Sequence, residues 1–235
     1  MNLLAHLNPA FTVLDTLSVA LLLLGWLGIG VLIDHPPAGM PSVTKLMTRY
    51  RYDWMRVFVT RVPRIFDATV IDSLRTGTAF FASTCLIAIG GCLALIGNIT
   101  AATSLAQGLM VGSPALLQIK LLLVTAFLAD ALLKYVWSHR LFGYCAILMA
   151  AVPNDPSDPT AFHRAEQAAE INITAARGFN RGLRSIYFAV AALGWLFGPA
   201  GLMVTTALTL AVLARREFAS TSRRMLMTDP TDDKA

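Results

Sequence analysis

Residues 74–97 read LRTGTAFFASTCLIAIGGCLALIG, and after Arg75 no Asp, Glu, Lys or Arg occurs until Lys120. About 20 residues of α-helix cross a hydrocarbon core of roughly 30 Å, so an apolar run this long without charge predicts a membrane span. A soluble core has no need of such a run. Two more are present, from Asp15 to Asp34 and from Arg184 to Arg215. Across all 235 residues, 56% are hydrophobic and 14% charged, where a soluble domain carries about 25% charge. The fold class that follows is all-α: a polytopic membrane helix bundle of about four membrane segments, with amphipathic helices in the cytosol or at the interface.

Working outward from 74–97, further spans are expected at about 13–33, 114–136 and 185–214. The first stops at Asp34-His35-Pro36-Pro37, since proline cannot continue a helix. No Lys or Arg precedes it and it is long for a signal-peptide core, so it is read as a retained span. The third opens at Pro114, a favoured first helical position. Its apolar pattern continues to Val152, so the helix is expected to project past the membrane until PNDPSDPT at 153–160 breaks it. The last run carries Gly198-Pro199 in its middle. Pro199 removes a backbone donor and Gly198 is free to take a left-handed cap. A break is therefore expected there, with the two halves returning to one side; the other reading is a single kinked, tilted span. Gly90 and Ala94 form a small-xxx-small pair that permits close helix contact. The domain organisation expected is one membrane helical domain over 1–220 and a flexible tail over 221–235.

The window 49–67, RYRYDWMRVFVTRVPRIFD, interleaves Arg49, Arg51, Arg56, Arg61 and Arg64 with aromatic rings. Such a mixture can serve nucleic acid. On a helix, however, Val43, Leu46, Met47, Tyr50, Trp54, Val57 and Phe58 fall in one arc of roughly 120°, with Lys45, Arg49, Asp53 and Arg56 opposite. Rings in a stripe are used for burial, not for base stacking, so nucleic acid is not expected as a partner. The expectation for 43–61 is an interfacial helix, with Lys45, Arg49 and Arg56 as candidate contacts to anionic lipid headgroups. The other reading is a helix packed on the protein's own cytosolic part. A second amphipathic helix, 160–184, carries His163, Glu166, Glu170, Thr174, Arg177, Arg181 and Arg184 in one arc, as a solvated stripe or a docking face.

The net charge of +5 lies beside the apolar runs. Segments 34–75 and 137–184 are rich in Lys and Arg, while the N-terminal segment and the 98–113 link have none. The positive-inside rule then predicts an N-terminus outside and large cytosolic loops, in a bacterial inner membrane. Partners expected are the bilayer itself, its anionic headgroups, and a membrane protein or a second copy of the chain.

No phosphate loop, zinc motif or nucleophile elbow is present, and no histidine lies inside a span to ligate haem. Cys85, Cys92 and Cys145 are odd in number and scattered, which predicts free thiols. No cofactor, metal site or catalytic set is expected. One charge constellation stands out. Asp130 and Lys134 share a face of the third span, and Asp72 and Arg75 share one on the second, with Arg64 and Asp67 a turn or two earlier. Charges at such depth are costly. The expectation is that Asp72/Arg75 and Asp130/Lys134 face each other and lock the two helices, with proton or ion handling and partner docking as the alternative roles.

The segments RIFD at 64–67, AFFAST at 79–84, WSHRLFGYCAIL at 137–148, FNRGLRSIYFAVAAL at 179–193 and RREF at 215–218 resemble the multi-pass membrane protein family catalogued as domain of unknown function 599. The resemblance runs from about the first span to Phe218. It implies the same membrane architecture and brings no functional residues. The expected function is a structural or accessory component of the membrane. The alternative is a small solute or ion transporter using the charges at the cytosolic ends of spans two and three.

Overall fold

A computed structural model gives the fold and describes residues 11–105 and 113–228. Among these residues the chain is helical and has no strand. The helices are α1 (Val13–Asp34), α2 (Val43–Thr60), α3 (Ile65–Gly97), α4 (Ile99–Leu105), α5 (Pro114–Ala150), α6 (Ala161–Leu193), α7 (Pro199–Phe218) and α8 (Thr221–Met227). Three of them, α1, α3 and α5, are long and apolar enough to cross a membrane. The fourth segment is divided between α6 and α7, at the break expected before Pro199.

The helix ends follow local chemistry. α1 stops at Asp34, ahead of the two prolines. Ser42 caps α2 by accepting from Lys45 N, and its hydroxyl donates to Ile33 O at 2.8 Å. α2 ends at Thr60, before Pro63. The loop at 153–160 is held by two Asx turns. Asp155 accepts from the Ser157 amide and hydroxyl, and Asp158 does the same for Thr160. Those bonds to Ser157 and Thr160 lower the pKa of both carboxyls from 3.8. At the expected break, α6 gives way to a 3-10 turn over Gly194–Phe197, and Gly198 takes φ 95° and ψ 176°. An L side chain rarely adopts that conformation.

One helix begins elsewhere than expected: the second span's helix starts at Ile65 rather than near 74, whereas α5 runs on to Ala150, close to the expected projection to Val152. At 1.5 Å per residue, 33 and 37 residues reach about 50 and 55 Å, well beyond a hydrocarbon core of roughly 30 Å. Residues 221–227, expected to be part of a loose tail, form a helix capped by Ser220, and Arg223 Nε donates to Pro41 O at 2.9 Å. The tail beyond 228 lies outside the described residues.

The chain divides into two compact units. One comprises 1–31, 84–131 and 183–214; the other comprises 32–83, 132–182 and 215–235. Of all Asp, Glu, Lys and Arg, only Asp15, Lys120, Asp130 and Arg184 belong to the first. Their charges cancel, so the net +5 belongs entirely to the second.

In the apolar unit, Trp26 packs edge-on against Phe127 and Phe127 stacks on Phe188. Gln118 Nε2 donates to Ile96 O. The α6–α7 turn closes a helical hairpin in which Thr205 Oγ1 donates to Ala191 O at 2.7 Å. A Cβ on Gly194 would stand 2.2 Å from Thr205 Oγ1, and one on Gly201 2.4 Å from Gly194 O. These two glycines allow the arms to touch. Gly90 does not play the expected part. It is exposed, and a Cβ there would meet nothing within 4 Å. In α1 and α3 only 22% and 6% of the most apolar window is buried, so most of that apolar surface faces outward.

The polar unit has its own core. Met55, Phe58 and Val59 of α2, Ile71 of α3, Phe142, Cys145 and Met149 of α5, and an alanine face of α6 pack together. Small side chains at Ala161, Ala165, Ala168 and Ala169 let α6 approach closely, and the Cys145 thiol reaches Ala168 O at 3.4 Å. Phe81, Tyr135 and Phe179 form a ring cluster. Gly182 lies under Tyr135, where a Cβ would come within 2.9 Å of the ring. Asn180 and Glu217, one on each arm of the hairpin, both hydrogen-bond Thr44.

Candidate functional site

The residues at the α2–α3 junction are the ones that sequence reasoning singled out and the fold brings together. Asp67, wholly buried, accepts from Arg61 Nη1 at 2.5 Å and from Trp54 Nε1 at 2.7 Å. Its nearest charge is thus Arg61 rather than Arg64. Arg64 turns to backbone instead. Its guanidinium donates to Val152 O and Pro153 O, both at 2.7 Å, and to Val59 O at 3.1 Å, over the Phe58 ring at 4.5 Å. It therefore satisfies carbonyls just past the end of α5, where helices leave acceptors unmade, while holding the end of α2. A cavity of about 260 Å³ opens beside it, lined by Phe58, Arg64, Ile71 and Met149 among others. The junction is a clamp made of one ion pair and one multidentate cation. Both of these donors bond the same oxygen of Asp67, Oδ1, so the arrangement ties α2 to the start of α3.

α2 has three faces. Met55, Phe58 and Val59 are buried, and on the same side Arg51 donates to Asn172 and the Tyr52 hydroxyl to Glu170. The expected apolar arc thus meets the buried face only at its edge, at Phe58, and the centre of the buried face is rotated from the centre of the arc by roughly 120°. Arg51 and Tyr52 can point inward because Asn172 and Glu170 meet their polar ends. From the expected arc, Met47, Tyr50 and Val57 remain exposed. Lys45, Arg49 and Arg56, all exposed, form the third face, with Arg49 3.9 Å from Asp53.

The expected pairing of Asp72/Arg75 with Asp130/Lys134 is not the register the helices adopt. α3 and α5 do run antiparallel as neighbours: Thr78 Oγ1 lies 3.3 Å from His139 Nδ1, and Phe81 stacks on Tyr135. That register puts Arg75 level with His139, whose Nδ1 is 3.2 Å from Arg75 O. His139 is five residues beyond Lys134 on α5. Asp72 is exposed. Asp130 accepts from the buried hydroxyl of Ser185 on α6. Ring packing sets the offset, and aligning charges by membrane depth could not foresee it. On α6 the expected stripe is exposed from His163 to Arg181, Arg181 pairs with Asp34 at 2.8 Å, and Arg184 is buried.

Sequence reasoning missed a polar cluster in the apolar unit. Asp15 is 3% exposed and accepts from Thr12 N, Thr12 Oγ1 and Trp195 Nε1, the last at 2.7 Å. Lys120, 2% exposed, holds its ammonium 5.8 Å from the Trp195 ring centre. Thr12-x-x-Asp15 at a helix start is a capping pattern that could have marked the first half of it. Trp195 lies 180 positions away, which no local signal reveals. All three cysteines are free, with Cys85 and Cys145 buried. Among the described residues no three of His, Cys, Asp and Glu converge as a metal site would require.

The profile of a family described as "Protein of unknown function, DUF599" matches residues 17–222. No curated protein and no solved structure matches the chain.

Proposed function

The chain belongs to the DUF599 family, and from that premise we propose that it is a multi-pass membrane protein with a structural or accessory role in a bacterial inner membrane. The observation that carries the reading is the division of charge. One compact unit has four charged residues whose charges cancel, and the other has all the net charge. The first suits hydrocarbon, where each charge costs a few kcal/mol. The second suits the cytosolic side, where Lys and Arg accumulate. The hairpin at Gly198 supports an arrangement in which Arg184 and Arg215 lie on the same side, with the N-terminus outside. On α2, the exposed apolar face of Met47, Tyr50 and Val57 beside the cationic face of Lys45, Arg49 and Arg56 fits an anionic leaflet. The residues that interact most, such as Arg64 and Asp67, join helices to one another, as a scaffold requires.

Transport is the second reading, favoured by one observation: Asp15 and Lys120 are buried charges in the apolar unit. Both lie within two turns of a helix start, Val13 or Pro114, which is nearer an interface than a midplane. Cross-linking in native membranes followed by mass spectrometry tests the pair of readings. A membrane-protein partner or a homo-oligomer recovered at stoichiometric yield is expected. A chain that stays monomeric and uncross-linked, with a solute retained on purification, would overturn the accessory reading in favour of transport.

A further inference from the structure

Arg51 of α2 points into a helical core without an acid to meet it. Among the described residues its hydrogen bond is to Asn172 Oδ1 alone, and no carboxylate pairs with it. Asn172 in turn donates its amide to the Cys145 sulfur at 3.5 Å. Burial works against the charged form of Arg51. A guanidinium has five N–H donors in a planar fork, so most of this one's donors are uncommitted. A half-buried cation with neither counter-ion nor full hydrogen bonding is destabilising unless something supplies the missing acceptors.

Beside Arg51 lies a cavity of about 120 Å³ among α2, α3, α5 and α6. Its polar walls are Arg51, Ser73 and Asn180, and its apolar walls include Leu74, Phe142 and Phe179. The size is well under the roughly 300 Å³ at which pockets begin to take whole ligands, so it suits one functional group. A fork of cationic donors with a hydroxyl and an amide near it matches a tetrahedral oxyanion.

We propose that this cavity is an oxyanion site, in which Arg51 binds a phosphate group with Ser73 and Asn180 as secondary contacts. The group is either inorganic phosphate or the phosphate of a lipid headgroup. Phe179 and Asn180 precede by a few residues the uncharged run that follows Arg184, which keeps the lipid source in play. The site is separate from the outer face of α2, because Lys45, Arg49 and Arg56 lie on another side of that helix and take no part in the cavity.

The test uses the full chain purified in detergent and in nanodiscs. Melting temperature is followed against inorganic phosphate, with chloride at equal ionic strength as control. Native mass spectrometry reads retained phospholipid from nanodiscs of phosphatidylglycerol with phosphatidylcholine. Arg51→Gln is compared with Arg56→Gln, an exposed arginine on the same helix. Gly77→Leu fills the cavity from α3 and leaves Arg51 itself unchanged in the sequence; a Cβ at Gly77 meets nothing within 4 Å. If the source is free phosphate, the melting temperature rises with phosphate. Arg51→Gln and Gly77→Leu then weaken that response about tenfold or more, and Arg56→Gln leaves it in place. If the source is lipid, phosphate has no effect and retained phosphatidylglycerol is lost with the same two variants. Should Arg51→Gln fail to fold, the Gly77→Leu comparison decides alone. No response in either arm, or equal losses in Arg51→Gln and Arg56→Gln, overturns the proposal.

Discussion

At the scale of single residues, the clamp at the α2–α3 junction is where one side chain has the most to lose. Asp67 is fully buried while Arg61 keeps 31% of its side chain exposed. Removing the cation strands a buried acid, a larger loss than the pair's net worth. Arg61→Ala is therefore expected to cost about 2 kcal/mol, below the range for fully buried pairs because water still screens Arg61. The double variant with Asp67→Ala is expected to recover part of it. Thermal unfolding of the three proteins in detergent checks this, and a double variant no more stable than Arg61→Ala would refute it. Tyr52 offers a pH-dependent counterpart. Its hydroxyl donates to Glu170, which raises its pKa above the ordinary 10.0. The folded value exceeds the unfolded one, so this stabilisation is complete below about pH 10 and is lost as pH rises through the folded pKa. Alkaline unfolding of wild type is expected to be steeper than that of Tyr52→Phe, and identical profiles would count against the bond. At this scale Arg64 and Asp67 were legible as important from their motif, RIFD. Their partners were not, because backbone carbonyls and a residue outside the motif complete the contacts.

At the scale of elements, helix identity was legible and helix contact was not. The run from Val13, the caps and the prolines announced most boundaries. The start at Ile65 differs from the expected span because a membrane sets the length of an apolar run but not of the helix that contains it. Small residues illustrate the second half. Gly90 with Ala94 has the spacing for close contact, yet Gly90 faces outward. Gly194 and Gly201, seven apart across a turn, touch. Gly194→Ala is expected to prise the hairpin apart and lower the melting temperature by several degrees, while Gly90→Ala leaves it unchanged or raises it slightly. Differential scanning fluorimetry of both variants is the measurement, and equal shifts would contradict the packing described. The motifs that carry the family resemblance acquire a meaning here. Phe81, Ser138, His139, Phe179, Asn180 and Glu217 are all inter-element contacts.

For the whole molecule, the orientation expected from charge leads to a labelling pattern. A cysteine placed at Ser104, in a background with Cys92→Ser because that thiol is only half-buried, should react with an impermeant reagent added to intact cells. A cysteine at Ser157, in the loop before α6, should react only after lysis. The reverse pattern would invert the topology and with it the assignment of the polar unit to the cytosol. That the chain is helical, apolar and built to cross a membrane follows from the sequence alone, because uncharged runs of this length have no economical alternative to a helix in lipid. The break at Gly198-Pro199 follows from it too, since backbone chemistry at those two residues is local. What only tertiary structure decides is which groups meet. The inward turn of Arg51, the Arg61–Asp67 pair, the Asp15–Trp195 bond and the five-residue offset of the α3 and α5 charges all depend on shape matching between helices distant in sequence. Periodicity reports which way a side chain faces on its own helix and says nothing about what stands opposite.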